Sequence, residues 1–200
     1  MALIIVTGFP GSGKTTWVNA IQLQIEKETK YVVKLIREED HPMVVYGTSV
    51  NERKSRCQLR SSVQHALDSK CVVIVDALNY IKGFRYELYC LAKARGLLSM
   101  ICHANTSLTS CDVVSPRWTM TLVEALVKRY EMPCSRKFDK PCFTWKIHDV
   151  EDNMHLNDIL KMLTTEKKTK VGKAVMDIDC RNRAEERNRK ESELKENIQD

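Results

Sequence analysis

Uninterrupted apolar runs alternate with stretches whose apolar positions recur every three or four residues, and this alternation organises the first 165 residues. Leu3 to Thr7 opens with Leu3-Ile4-Ile5-Val6, a run without polar alternation that predicts a strand covered on both faces of a parallel sheet. It leads straight into a glycine-rich loop. From Lys14 to about Glu28 the period changes, with Val18, Ile21 and Ile25 on one helical face. Tyr31 to Ile36 predicts a second strand, stopped by Arg37-Glu38-Glu39-Asp40 and by a loop at His41-Pro42. Asn51 to Ser69 predicts a helix with Leu59, Val63, Ala66 and Leu67 on one face and Arg53, Arg56 and Arg60 on another.

Cys71 to Val75 is a further apolar strand, and it ends in Asp76. A helix over Phe84 to Arg95 closes at Gly96, and Leu97 to His103 follows as a strand. After a turn-rich stretch to Pro116 come a helix from about Thr119 to Glu131, ended by Pro133, a last strand over Phe143 to Ile147, and a short helix over His155 to Leu163. Strands alternating with helices at this pitch predict an α/β fold, a parallel sheet flanked by helices. Beyond Thr164 arginines and lysines mix with glutamates and the apolar stripe is lost. The expected division is therefore one domain over 1–165 and a charged, helical or frayed tail over 166–200.

The 200-residue length suits one such domain, and 43% hydrophobic with 29% charged residues is the balance of a soluble globular chain. No apolar run reaches the ~18 to 20 residues of a membrane span, so the expected location is the cytosol or nucleus, with no membrane partner. The eight cysteines are scattered without a C-x-x-C pair, which reads as reduced thiols in that setting. A formal charge of +6 favours an anionic partner only weakly, since a nucleotide alone could account for it.

The chemistry is carried first by Gly8-Phe9-Pro10-Gly11-Ser12-Gly13-Lys14-Thr15. Glycines at 8, 11 and 13 let backbone N–H groups turn onto phosphate oxygens at the positive end of the following helix. Gly8, Gly11, Ser12, Gly13, Lys14, Thr15 and Thr16 are the candidate ATP-binding residues. Lys14 would reach the β- and γ-phosphates, and the Thr15 hydroxyl would bind Mg²⁺. Such a site needs a carboxylate at the end of a neighbouring strand, and Asp76 is the candidate second metal group. Arg129, near a helix end, is either a plain C-terminal charge or a catalytic arginine that stabilises phosphate charge. Arg53, Arg56 and Arg60 are either a solvated helix face or an anion-facing surface, which the family resemblance given below would make a contact for phosphate or tRNA. Glu38 and Asp40, at the exit of the second strand, are the candidate acceptor carboxylates.

Asp76-Ala77-Leu78-Asn79-Tyr80-Ile81-Lys82-Gly83-Phe84-Arg85-Tyr86-Glu87-Leu88-Tyr89-Cys90 closely resembles the killer-toxin-insensitivity-twelve family, as do Gly8 to Thr16 and Glu52, Arg53 and Arg56 upstream. Downstream, Arg129-Tyr130-Glu131-Met132-Pro133 and Asp139-Lys140-Pro141-Cys142-Phe143 resemble two further stretches of that family. The resemblance covers about the first 165 residues. It implies a kinase-like P-loop NTPase, related to the kinase that phosphorylates seryl-tRNA for selenocysteine synthesis. The implied activity is ATP hydrolysis, with the Elongator complex and tRNA as partners in wobble-uridine modification. The family's ATP-binding roles fall on Gly13, Lys14, Thr15, Asp76 and Arg129. Ala77 stands where the family has Ser, Lys137-Phe138 where it has Arg-Trp, His65 where it has Arg, and Glu38 where it has Asp. The family's C-terminal tRNA-binding domain corresponds here only to the charged tail. Two alternatives stay open: a kinase acting on a tRNA-bound or small-molecule hydroxyl, and a nucleotide-dependent adaptor without useful turnover.

Overall fold

A computed structural model describes residues 2–38, 42–67, 71–106, 118–134, 137–145 and 154–165. The expected tail over 166–200, Asp40, and the ends of two predicted elements at Ser69 and at Lys146-Ile147 lie outside the described residues. The elements run β1 (Ala2–Gly8), α1 (Lys14–Glu28), β2 (Val32–Arg37), α2 (Pro42–Tyr46), α3 (Ser49–Ala66), β3 (Cys71–Asp76), α4 (Lys82–Ala94), β4 (Leu98–Ala104), α5 (Met120–Lys128), β5 (Cys142–Trp145) and α6 (Met154–Thr164). The strands form one parallel sheet in the order β2-β3-β1-β4-β5, the kinase-like architecture expected.

The apolar runs are strands because helices cover both faces of the sheet. Along β1 the side chains divide with period two. Ala2, Ile4 and Val6 pack with α1 and α6 through Trp17, Val18, Ile21, Ile25, Ile159 and Leu163. Leu3 and Ile5 pack on the opposite face with Leu59 and Val63 of α3 and with Phe84, Leu88 and Leu91 of α4. Trp17 and Trp145 stack at 4.4 Å and join α1 to β5. A smaller cluster of Val45, Tyr46, Leu78, Tyr80, Leu122 and Leu126 holds α2 and α5 beside the segment that follows β3.

Two expectations are corrected. His41-Pro42 was expected to sustain a loop, yet Pro42 opens the short helix α2, because a proline at the first helical position gives up an N–H that has no intrahelical partner there. The helix expected to reach Glu131 stops at Lys128. The chain leaves it because Glu131 N–H donates to the Tyr80 carbonyl at 3.0 Å, and the Glu131 carboxylate accepts from Lys82 N–H at the start of α4. Among the described residues no helix is long and apolar enough to cross a membrane.

Candidate nucleotide site

The glycine loop joins β1 to α1 at the carboxyl edge of the sheet, where ligands of open parallel sheets bind. A Cβ on Gly8 would lie 2.8 Å from Ala104 Cβ and 2.8 Å from Ser12 Oγ, so a side chain there would push the loop off β4. Gly13 takes a left-handed conformation (φ 77°) and begins α1 with no side-chain cap, whereas Thr48 and Thr119 cap α3 and α5. The first N–H groups of α1 are therefore left for an anion.

Lys14 Nζ folds over the loop, donating to the carbonyls of Gly8 (3.1 Å) and Phe9 (2.5 Å) and lying 3.4 Å from Ser12 Oγ. Thr15 Oγ1 donates to Asp76 Oδ2 at 3.0 Å, and Arg37 Nε reaches the same oxygen at 3.2 Å. Arg37 is brought there by the β2–β3 register, which pairs it with Asp76, and is steadied by Asn19 Oδ1 at 2.7 Å. A hydroxyl and a carboxylate at this spacing are hard oxygen donors that suit Mg²⁺ with part of its water shell retained. These residues fit the implied metal. If Asp76 holds the metal, Asp76→Asn should weaken the affinity for Mg²⁺ in the presence of nucleotide about tenfold or more while the fold stays intact; an unchanged magnesium titration of nucleotide binding would assign the metal elsewhere.

The loop, Thr16, Arg37, Glu38, Tyr46, Asp76, Leu78 and Trp118 enclose a cleft of about 620 Å³, within the usual size of a small-molecule site. Glu38 is half-buried in its wall. Both its oxygens accept from Tyr46 OH, at 2.7 and 2.6 Å. Burial pushes the Glu38 carboxyl above its usual range, against the opposing pull of that bond and of the Lys14 charge.

Arg129 lies elsewhere. Among the described residues it is absent from the lining of the cleft. Its Nη1 donates to Glu52 Oε2 at 2.9 Å, and its guanidinium sits 5.5 Å over the Tyr80 ring. Glu52 is buried at the start of α3, and its other oxygen accepts from both Arg56 and Tyr80 OH. Burial raises the Glu52 carboxyl, but the bonds from Tyr80, Arg129 and Arg56 outweigh this and hold it below the usual range. The basic stripe is divided likewise: Arg56 is committed to Glu52, Arg60 lies 3.7 Å from Glu87, and Arg53 is exposed.

A model of the family described as chromatin associated protein KTI12 matches residues 1–198. The chain belongs to this family. A KTI12 homolog from Danio rerio is 35% identical over 157 residues, covering 72% of this chain and 56% of its own length. The chain thus spans little more than half the length of this relative. The crystal structure of Chaetomium thermophilum Kti12 in complex with ADP-AlF3 matches with a TM-score of 0.70 at 30% identity, covering 80% of this chain and 96% of that one. Mycobacterium tuberculosis APS kinase CysC, in complex with AMPPNP and APS, shares the fold alone, with a TM-score of 0.55 at 13% identity over 78% and 97% of the two chains.

Beneath the loop of this KTI12-family chain lies a polar layer with little sequence signal. Thr7 Oγ1 bonds to the Leu78 carbonyl (2.8 Å) and to Tyr130 OH (2.8 Å), and Phe9 packs on the Tyr130 ring at 4.7 Å. Asn79, at φ 46°, donates to the Val6 carbonyl at 2.7 Å. His103 is buried against Tyr130, and desolvation, with the charges of Arg85 and Lys14, lowers its pKa to about 4. The unfolded chain then binds a proton that the folded chain refuses between pH 6.5 and about 4. Stability should fall as pH drops through that window, by on the order of 3 kcal/mol, and urea unfolding at several pH values should show this component missing in His103→Gln.

Proposed function

We propose that the chain binds Mg-ATP over Gly8 to Thr16 and hydrolyses it, acting as an accessory factor of the Elongator complex in tRNA wobble-uridine modification. The carrying observation is the 3.0 Å contact of Thr15 with Asp76 beside an uncapped helix start. The relative crystallised with ADP-AlF3, a mimic of a phosphoryl group in transfer, supports a triphosphate as substrate. Loop N–H groups and Lys14 would hold the phosphates, while Thr15 and Asp76 would hold Mg²⁺, which supplies charge neutralisation at the phosphate oxygens. Water attacks the γ-phosphate in line with the departing diphosphate, giving ADP and inorganic phosphate. Residues 1–165 are the proposed catalytic unit, working in the cytosol and nucleus; chromatin association in the family's description accords with the nuclear part.

Transfer to a hydroxyl acceptor is the second reading, favoured by Glu38: a carboxyl with a raised pKa in the cleft wall is placed to take a proton. Phosphate release measured with and without tRNA and Elongator, beside a labelled-phosphate transfer assay, separates the two. Hydrolysis should rise with tRNA and the rise should fade with salt as counterion release weakens. Since Arg56 and Arg60 are engaged within the fold, Arg53→Glu is the substitution expected to reduce the stimulation, by about threefold, with basal turnover kept. An equal rate at low salt with and without tRNA and Elongator would reject the coupling.

A further inference from the structure

The cleft has two ends of different chemistry. At one end the glycine loop, Lys14 and Thr15 offer the backbone N–H groups, ammonium and hydroxyl that suit phosphates. At the other end stand Glu38, Pro42, Tyr46, Leu78 and Trp118. Apolar and aromatic walls with one placed polar group are what small organic molecules bind, and phosphates gain nothing from them.

The aromatic end is held in place. Tyr46, on α2, is 8% exposed; its hydroxyl donates to both oxygens of Glu38, and its ring meets Tyr80 at 6.2 Å and Trp118 at 6.1 Å, the latter at an interplanar angle of 28°. Trp118 stands just before Thr119, which caps α5 and whose hydroxyl donates to Met43 Sδ of α2 at 3.8 Å, so the two segments that carry the rings are tied. Trp118 itself is half-buried. Tyr46 covers part of the indole, and the rest lines the cleft.

Position decides whose ring this end receives. Lys14, Thr15 and Asp76 mark the γ end of a triphosphate, where the lysine and the metal both act. Glu38 directly follows Arg37, which reaches Asp76 Oδ2 at 3.2 Å, so the carboxylate and the rings lie on the γ side of the cleft. The base of ATP is joined at the other end of its phosphate chain. A ring on Trp118 therefore belongs to a second molecule. A neutral hydroxyl compound fits, since an anion would face both the Glu38 carboxylate and the γ-phosphate, and Arg37 is already committed to Asp76 and to Asn19.

We propose that this end of the cleft is an acceptor subsite for a nucleoside, its base resting on Trp118 and a ribose hydroxyl on Glu38. The subsite rests on the transfer reading above and names its substrate class. The hydroxyl oxygen forms a bond to the γ-phosphorus while the bond from that phosphorus to the β,γ-bridging oxygen breaks; ADP leaves, and the hydroxyl proton passes to the Glu38 carboxylate. With the subsite empty, water takes the place of the hydroxyl and the turnover is hydrolysis.

The test gives the full chain Mg-ATP labelled at the γ-phosphate, with the common ribonucleosides, with methyl riboside, which has the hydroxyls and no base, and with a short oligoribonucleotide. Labelled nucleoside should form with a kcat/KM about tenfold or more above that for methyl riboside, the worth of a base stacked on an aromatic ring. Label on the oligonucleotide alone supports the same subsite and places its nucleoside in RNA. Trp118→Leu should abolish the preference, and Trp118→Phe, which restores a ring, should regain most of it. The indole N–H resonance of Trp118, assigned by its loss in Trp118→Phe, should shift when nucleoside joins the Mg-ADP complex, a readout that stands even where Trp118→Leu does not fold. Equal labelling of nucleoside and methyl riboside, or a preference that survives Trp118→Leu, overturns the subsite and leaves transfer intact. A shifted indole without any labelled acceptor overturns the acceptor role together with the transfer reading. Neither label nor shift, in samples that still release phosphate from ATP, overturns both and leaves hydrolysis standing.

Discussion

Lys14→Ala should weaken Mg-ATP binding by about 10- to 100-fold while leaving the chain folded, because the substitution removes a charge-assisted contact of roughly 1.5 to 3 kcal/mol. The ammonium already has acceptors within the loop, the Gly8 and Phe9 carbonyls. Reaching a phosphate means giving these up. The cleft lets water take over those carbonyls, so the cost of giving them up is small and the net loss stays within that range. Stability should change by less than about 1 kcal/mol, since the loop is held independently by the close approach of Gly8 to Ala104 and by Ser12 N–H on the Phe9 carbonyl. Isothermal titration gives the affinity and urea unfolding gives the stability. An affinity equal to wild type in the folded variant would remove the assignment of the loop as the phosphate site.

What the sequence reveals of this chain is what its neighbours along the chain decide. The change of period at Lys14 places the glycine loop between a strand and a helix, and α1 begins and ends at Lys14 and Glu28 as its apolar spacing predicts. Asp76 is legible for the same reason, since an apolar run ends there. The partners of those residues are not legible, because they come from register and from distant segments. Arg37 reads as a charge that stops β2, and only the pairing of β2 with β3 turns it toward Asp76.

The basic stripe shows the same limit. Helical spacing puts Arg53, Arg56 and Arg60 along α3, but the acceptors Glu52 and Glu87 decide which of them faces solvent. Arg129 is chemically conspicuous in the sequence, yet its placement depends on a carboxylate 77 residues away. The short helix α2 was hidden by a proline that serves equally as a stop and as a start. Tyr46, which closes the cleft wall onto Glu38, was hidden with it.

The largest loss of stability should come from Asp139→Ala. Asp139 is 1% exposed and pairs with Arg85, 0% exposed, at 3.3 Å, while its other oxygen accepts from Cys134 N–H at 3.2 Å. Removing the carboxylate leaves a guanidinium in the interior with the Asn79 carbonyl, at 3.0 Å, as its remaining hydrogen-bond partner among the described residues. Breaking a buried pair from one side costs about 3 to 5 kcal/mol, because the stranded charge keeps its desolvation penalty. The damage should reach the nucleotide site as well as the core: the Asn79 carbonyl also lies 3.2 Å from Thr7 Oγ1, and the Asn79 side chain holds the Val6 carbonyl, so the guanidinium braces the strand end from which the loop springs. Replacing both partners, Arg85→Met with Asp139→Leu, should recover much of the stability, since no bare charge remains. Urea unfolding of the two single variants and the double variant closes the cycle. Additive losses in that cycle, or a loss below about 1 kcal/mol for Asp139→Ala, would mean that the interior charge is compensated by a route other than this pair.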